Sequence, residues 1–379
     1  MKNRPFWEKL IEELWQHRSI IWLSGVRRVG KTSLCKNLQR IEYYDCELPR
    51  VRLQLAEPEL FLKNTPNPKR AIVFDEIHRL ANPSEILKIA ADHFPLTKII
   101  ATGSSTLGAS SKFADTLTGR KSDLWLTPLL LEECEIFDNT NIQHRFFHGG
   151  LPSFFMGENF LEKDFSEWLD SYWAKDIQEL FRIEKRYSFQ KFVELLFAQS
   201  GGIFEATRFS TPCEVSRTTI ANYLAVLETT FVVHIIRPFS TNLATEIVTA
   251  PKIYAFDTGF VCYANGWTEV RQSDFGLLWE HCVLNELQGK TQTRKILYWR
   301  DKQGHEIDFV YIKNRNYAEP IAIECKWTAA NFDPTNLKIF RKRYPKGINY
   351  VVSHDTEGSF ERQYDGILVT FVNAKDIVL

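Results

Sequence analysis

The chain has no surplus of charge: 47 lysines and arginines stand against 47 aspartates and glutamates in 379 residues. With no net field, the protein as a whole is not drawn onto nucleic acid or an anionic surface, so any such contact must come from a local patch. There is no C-x-x-C pair among the seven cysteines (Cys35, Cys46, Cys134, Cys213, Cys262, Cys282 and Cys325). An odd, scattered set argues against a disulfide or zinc framework and for reduced thiols in a cytoplasmic protein. No apolar run is long enough to span a bilayer, so no membrane contact is expected. The first fifteen residues, interrupted by Glu8, Glu12 and Glu13, do not read as a secretory signal. Repeats and low-complexity segments are also missing. The length and apolar content leave room for two or three packed domains.

What is present centres on Gly25-Val26-Arg27-Arg28-Val29-Gly30-Lys31-Thr32, followed by Ser33. This G-x-x-x-x-G-K-T run follows an apolar strand-like stretch, Ser19 to Leu23, and precedes a helix-like one, Thr32 to Leu38. Strand, glycine loop and helix form the context in which the pattern binds phosphate. Backbone N–H groups of the loop and the positive end of the helix would face the phosphates. Lys31 is placed to reach the β- and γ-phosphates, and the Thr32 hydroxyl to ligate Mg²⁺. Residues from about Pro5 to His17 carry apolar side chains at helical spacing. Val51 to Leu55 alternates like a short strand.

A second motif is Ala71-Ile72-Val73-Phe74-Asp75-Glu76, a buried strand ending in two carboxylates. Parallel strands covered on both faces read as unbroken apolar runs, and their carboxyl ends open onto the ligand crevice. Asp75 would support Mg²⁺ beside Thr32, and Glu76 would polarise the attacking water. A further strand, Lys98 to Ser105, carries small polar residues at its end. Of these Ser104, and next Thr102, would sense the γ-phosphate. Arg120, after Leu117-Thr118-Gly119, would neutralise charge on the phosphate in its own chain or in a neighbouring subunit of a homo-oligomer; the alternative is a surface arginine.

With these pieces the chain resembles the bacterial and archaeal AAA-type ATPases fused to a C-terminal domain of unknown function with a nuclease-like fold. The matching residues are Gly25 to Thr32, Phe74-Asp75-Glu76, Thr102 to Ser105, Gly119-Arg120, Leu126 to Leu129, Gly149-Gly150-Leu151-Pro152, Tyr172 to Ile177 and Asp257 to Phe260. The resemblance implies ATP rather than GTP as the nucleotide. It implies an α/β chain in three parts: an AAA-type P-loop ATPase domain with a parallel sheet (1–150), a helical linker and winged-helix-like module (151–270), and a restriction-endonuclease-like α/β domain (271–379).

In the middle part the apolar spacing is helical from Phe160 to Phe209. Cys213 to Leu227 reads as a turn and an amphipathic helix with Ser216 as N-cap. Phe231 to Ile236 would be the first strand of a wing. Arg217, Thr218, Thr219 and Asn222 would then face a major groove. The acidic residues around them leave no surplus charge for phosphate, which favours packing against protein over reading DNA.

In the last part a helix bearing Glu280 precedes three strands carrying Asp308 and the Glu324-Cys325-Lys326 run. This pattern resembles the PD-(D/E)xK nucleases. Residues two apart on a strand share a face, so Glu324 and Lys326 stand together. Asp308 and Glu324, with a backbone carbonyl and with Glu280, ahead of Glu286, as a further ligand directly or through water, suit Mg²⁺ or Mn²⁺. Lys326 would orient or deprotonate the attacking water. The alternatives are an inactive nuclease-like fold and ordinary cross-strand charge pairs. Lys338, Arg341, Lys342, Arg343 and Lys346 form a basic cluster that would line a nucleic-acid backbone or simply be a solvated helix face. The expected function is ATP hydrolysis that regulates a nuclease-like site on DNA. The rival is an ATP-dependent scaffold for a protein partner.

Overall fold

The computed structural model describes residues 2–64, 70–103, 116–178, 181, 183–241, 250–313 and 316–379. The chain forms two compact units: residues 1–127 with 170–182 and 229–231, and residues 128–169, 183–228 and 232–379.

The first unit is built on five parallel strands: β1 (Ile20–Ser24), β2 (Ile41–Asp45), β3 (Ala71–Asp75), β4 (Ile99–Thr102) and β5 (Lys121–Trp125), ordered β2-β3-β4-β1-β5. The inner strands β1, β3 and β4 are buried along their whole length, as their unbroken apolar sequence requires. The edge strand β2 is only half-buried. Because all five run parallel, the glycine loop after β1, Asp75 at the end of β3 and Thr102 at the end of β4 share one edge of the sheet. Strand β4 lies between β1 and β3, which sets Thr102 between the phosphate loop and the acidic strand.

The helix expected over 5–17 spans Pro5–Leu14, with Trp7 and Ile11 buried. Val51 to Leu55, read as a strand, is a helix over Pro49–Gln54. Its alternation is also an i, i+4 pattern: Val51 and Leu55 are buried while Leu53 is 78 % exposed, and Pro49 suits a first helical turn. The strand that pairs with β3 is β2, ten residues earlier.

The second unit carries an eight-stranded sheet. Its strands are β6 (Val233–Pro238), β7 (Lys252–Ala255), β8 (Ile296–Arg300), β9 (Glu306–Tyr311), β10 (Ile321–Lys326), β11 (Asn349–Ser353), β12 (Ser359–Tyr364) and β13 (Ile367–Val372). The order is β12-β13-β11-β10-β9-β8-β6-β7. The antiparallel pairing of β8 with β9 and of β9 with β10 is the hairpin order expected from sequence. Helix Phe275–Thr291 packs along β10 and helix Thr335–Arg343 along β9. The stretch expected to open a wing is β6. It pairs in parallel with β8 and so belongs to the same sheet as the C-terminal strands. Before it, Ala206–Ser210 and Arg217–Thr229 are helices separated by a turn. Ser216 caps the second, its Oγ accepting from the Thr219 N–H at 3.1 Å; Arg217, Thr218 and Asn222 are exposed.

The Gly149-Gly150 turn is filled by the chain's own charges. Asp257 and Arg145 are both buried. The Asp257 carboxylate accepts the N–H groups of Gly150 and Gly259. Arg145 donates to Thr258 Oγ1 at 3.1 Å and stands 3.8 Å from Asp257. Gly149 has φ +80°, and a Cβ there would fall 1.9 Å from Asp257 Oδ1. All seven cysteines are free and buried. Among the described residues no helix is long and apolar enough to cross a membrane.

Candidate functional site

The phosphate loop is held from both sides. Gly25 has φ +143°, and a Cβ there would meet the Leu126 carbonyl oxygen at 2.5 Å. Gly30, left-handed at φ 100°, starts helix Lys31–Asn37. The buried Arg4 donates to the carbonyls of Val29 at 3.1 Å and Thr127 at 3.2 Å, pinning the far side of the loop. Val26 and Val29 point into the core, while Arg28 and Ser33 are exposed. Lys31 folds back, its Nζ donating to the carbonyls of Gly25 at 2.7 Å and Val26 at 3.2 Å. Burial draws its pKa below the usual lysine value, opposed first by Glu76 and then by Asp176.

Asp75, 4 % exposed, collects hydroxyls. Thr32 Oγ1 donates to its Oδ2 at 2.8 Å, the Tyr43 hydroxyl donates to the same oxygen, and Thr102 donates to Oδ1. Thr102 also accepts the Glu76 N–H at 3.1 Å. Glu76 itself turns left-handed at φ 53°, and its Oε2 lies 3.2 Å from His78 Nδ1. Burial raises the Glu76 pKa, but the bond and charge of His78, then Lys31 and Arg27, outweigh it and bring the pKa below the ordinary value. Glu76 is thus kept ionised, as a base must be. Thr32 and Asp75 set hard oxygen donors side by side, a donor set that suits Mg²⁺ with water completing its shell.

Lys31, Thr32, Asp75 and Glu76 are therefore brought together as the motifs required. Ser104 lies outside the described residues. Arg120 does not join the site of its own chain. It precedes β5, whose Lys121 is level with Ile20 at the start of β1. That places it at the opposite edge of the sheet, about 15 Å of strand from the loop, where it pairs with Asp92 at 2.7 Å. Its position after Gly119 carried no signal of which sheet edge it would occupy. Tyr43 was missed because β2 was not recognised. Asp176, within the Tyr172 to Ile177 run, also reaches the loop: its Oδ2 accepts from Arg27 Nε at 2.7 Å.

The second unit gathers a buried acidic cluster. Lys326 Nζ lies 2.8 Å from Glu324 Oε2 and 3.7 Å from Asp308 Oδ2, and Asp308 accepts the Cys325 N–H at 2.7 Å. Glu324 is 2 % exposed, and its Oε1 is buried without a hydrogen-bond partner. Burial, then the charge of Asp308, pushes the Glu324 pKa up, Lys326 opposing; burial and Asp308 raise Glu280 likewise. Glu280 is held by the Tyr254 hydroxyl at 2.9 Å, and Lys252 pairs with Glu306. Among the described residues no three His, Cys, Asp or Glu side chains stand together so as to hold a metal ion. Glu280 therefore does not complete a three-carboxylate set with Asp308 and Glu324. Lys252 and Tyr254 were missed because β7 reaches this sheet only through the tertiary fold; Glu306, on β9, was missed because its partner Lys252 comes from that distant strand.

The basic cluster is partly consumed by structure. Arg341 is buried and donates to Asn349 Oδ1 at 2.6 Å and to the carbonyls of Tyr344, Pro320 and Ile348. Lys338 pairs with Asp365 at 2.6 Å. Lys342, Arg343 and Lys346 are exposed.

Residues 17–135 match the AAA domain family. Residues 139–271 and 275–373 match two families described as domains of unknown function, DUF8612 and DUF4143. The chain is 25 % identical over 315 residues to the uncharacterized protein Rv2008c of Mycobacterium tuberculosis, covering 79 % of this chain and 70 % of that one. It is 23 % identical over 293 residues to an uncharacterized protein of Haemophilus influenzae, covering 68 % and 73 %. Among solved structures it is similar to the Walker-type ATPase PABY2304 of Pyrococcus abyssi, at TM-score 0.44 and 16 % identity over 68 % of this chain and 94 % of that one. It is also similar to Cdc6p of Pyrobaculum aerophilum, at TM-score 0.30 and 11 % identity over 69 % and 94 %. The AAA match spans all five parallel strands and the phosphate loop. Together with the geometry at their carboxyl edge, it makes the first unit a P-loop ATPase domain of AAA type.

Proposed function

We propose that this chain hydrolyses ATP in its first unit and uses that cycle to control a nuclease-like site of the second unit on DNA. The observation that carries the ATPase half is the contact of Thr32 with Asp75 beside an ionised Glu76. Lys31 would leave the loop carbonyls for the β- and γ-phosphates. Thr32 and Asp75 would hold Mg²⁺, which when bound offsets phosphate charge. Glu76 would take the proton of the attacking water, and Thr102 with Ser104 would hold the geometry around the γ-phosphate. Gly25 through Ser33 would wrap the phosphates with their N–H groups.

The nuclease half is supported by the orphaned, buried Oε1 of Glu324 beside Asp308 and Lys326. A buried carboxylate oxygen without a partner is costly, and a divalent cation held by Asp308, Glu324 and a backbone carbonyl would satisfy it. Lys326 would then be freed to orient a water. The exposed Lys342, Arg343 and Lys346 would meet the DNA backbone. One observation favours the second reading, an ATP-dependent scaffold for a protein partner: Lys326 already pairs with Glu324 at 2.8 Å.

The test uses purified full chain with ATP and plasmid DNA, in Mg²⁺ and then Mn²⁺. Glu76→Gln is expected to bind ATP but release no phosphate. Nicking that Asp308→Ala abolishes, and that Glu76→Gln alters, supports ATP-controlled cleavage. ATP hydrolysis without nicking in either metal overturns the nuclease half and leaves the scaffold reading.

A further inference from the structure

Residues 170–182 belong to the first unit, although the residues before and after them belong to the second. Trp173 and Ile177 are buried. The Tyr172 hydroxyl and Thr230 Oγ1 share a hydrogen bond of 2.6 Å, so the segment is anchored to the other short excursion into this unit, 229–231. Residues 173–178 form a π-helical turn, a geometry rare in proteins and concentrated at functional sites. From this turn the Asp176 carboxylate accepts from Arg27 Nε at 2.7 Å, with both side chains partly exposed. Arg27 is the third residue of the phosphate loop. Lys31 feels Asp176 as well, next after Glu76. A carboxylate thus occupies the loop's own guanidinium in a site built for external anions.

We propose that Asp176 is a positioning residue of the ATPase site: without nucleotide it neutralises Arg27 and clasps residues 170–178 to the phosphate loop, and an incoming triphosphate competes for Arg27 and loosens them. The inference rests on the ATPase reading of the first unit. A partly exposed ion pair is worth little, so several phosphate charges beside Arg27 suffice to displace it. The exchange gives ATP different interactions with the clasped and loosened states, which any ligand-driven change requires. The segment is continuous at both ends with chain of the second unit, so its release gives nucleotide occupancy a covalent route onward.

The test follows amide hydrogen exchange of residues 170–178 in the full chain, with ATP binding measured in parallel by calorimetry. In the wild type, saturating Mg·ATP is expected to speed exchange there about 3- to 10-fold. In Asp176→Asn the amide oxygen still accepts from Arg27 but the charge is gone. Exchange should then be fast without nucleotide and unresponsive to it, and ATP should bind about 3- to 10-fold more tightly. Lys31→Ala should abolish both binding and response. Wild-type protein that binds ATP without any change at 170–178 overturns the proposal and leaves the ATPase reading standing. Asp176→Asn that only lowers the melting temperature, with affinity and response unchanged, also overturns it and makes the pair structural. Wild type that fails to bind ATP overturns the ATPase reading, and the proposal with it.

Discussion

Two glycine-bearing turns stand out in this chain, and they use the same chemistry to opposite ends. The loop from Gly25 to Gly30 precedes a helix, with Lys31 folded onto carbonyls and Arg27 on a partly exposed aspartate. The turn at Gly149-Gly150 is close-packed around an anion the chain itself supplies. Asp257 accepts the Gly150 N–H where a phosphate oxygen would sit in the first loop, and Arg145 balances its charge. A glycine turn aimed at an internal carboxylate is a structural joint. One whose guanidinium meets a partly exposed aspartate leaves an incoming anion a weak pair to displace. In sequence the two look equally conspicuous.

The largest expected effect breaks the internal joint. Asp257→Ala leaves Arg145 buried without its counter-charge and should destabilise the second unit by about 3–5 kcal/mol in urea melts. A loss below about 1 kcal/mol would show that Asp257 is not the turn's filling anion. Lys31→Ala is the converse. Phosphate release should fall about 100- to 1,000-fold, with the melting temperature of the first unit kept within about 2 °C.

A third carboxylate sharpens what burial alone does. Glu286, 0 % exposed, accepts the Leu131 N–H at 2.6 Å and lies 3.4 Å from Lys290. Burial pushes its pKa up to about 7, the charge of Lys290 opposing. A carboxyl whose folded pKa is raised binds more protons folded than unfolded. Its contribution is therefore fully present below its ordinary pKa and is lost as pH rises through about 7. Stability should decline by about 1–3 kcal/mol between pH 5 and 9 on this account, and Glu286→Gln should flatten that decline in a pH series of thermal melts.

Tyr43→Phe removes one of three hydroxyls on Asp75 and should raise the KM for Mg·ATP about tenfold, with a smaller change in kcat. The smallest effect concerns the arginine at the far edge of the sheet. Arg120→Ala should leave the turnover of monomeric protein unchanged within about twofold. A large loss that depends on protein concentration would instead place Arg120 in a neighbouring subunit's site.

The phosphate site was legible because its parts are local. Gly25 to Thr32 is one loop, and Asp75-Glu76 ends one apolar strand, so spacing along the chain is nearly spacing in space. What was illegible arrived from elsewhere. Tyr43 sits on β2, whose half-buried edge sequence gives a weak strand signal, while the helix at Pro49–Gln54 mimics alternation. Asp176 lies 149 residues beyond Arg27. In the second unit Glu324 and Lys326 share a face as period two demands, and Asp308 meets them across the hairpin. Glu280, by contrast, is drawn to Tyr254, and Arg341 is spent on carbonyls.

By itself the sequence determined a parallel-stranded phosphate-binding core, the residues at its carboxyl edge and the hairpin order of the later strands, because local periodicity and motif spacing dictate them. Only the tertiary structure decided that β6 and β7 join the C-terminal sheet rather than form a wing. It alone decided that Arg120 faces away from its own site, and that the Gly149-Gly150 turn is sealed while the Gly25 loop is tethered to Asp176. Those outcomes depend on which distant strands pair and which buried charges find partners, and that is settled only when the whole core closes.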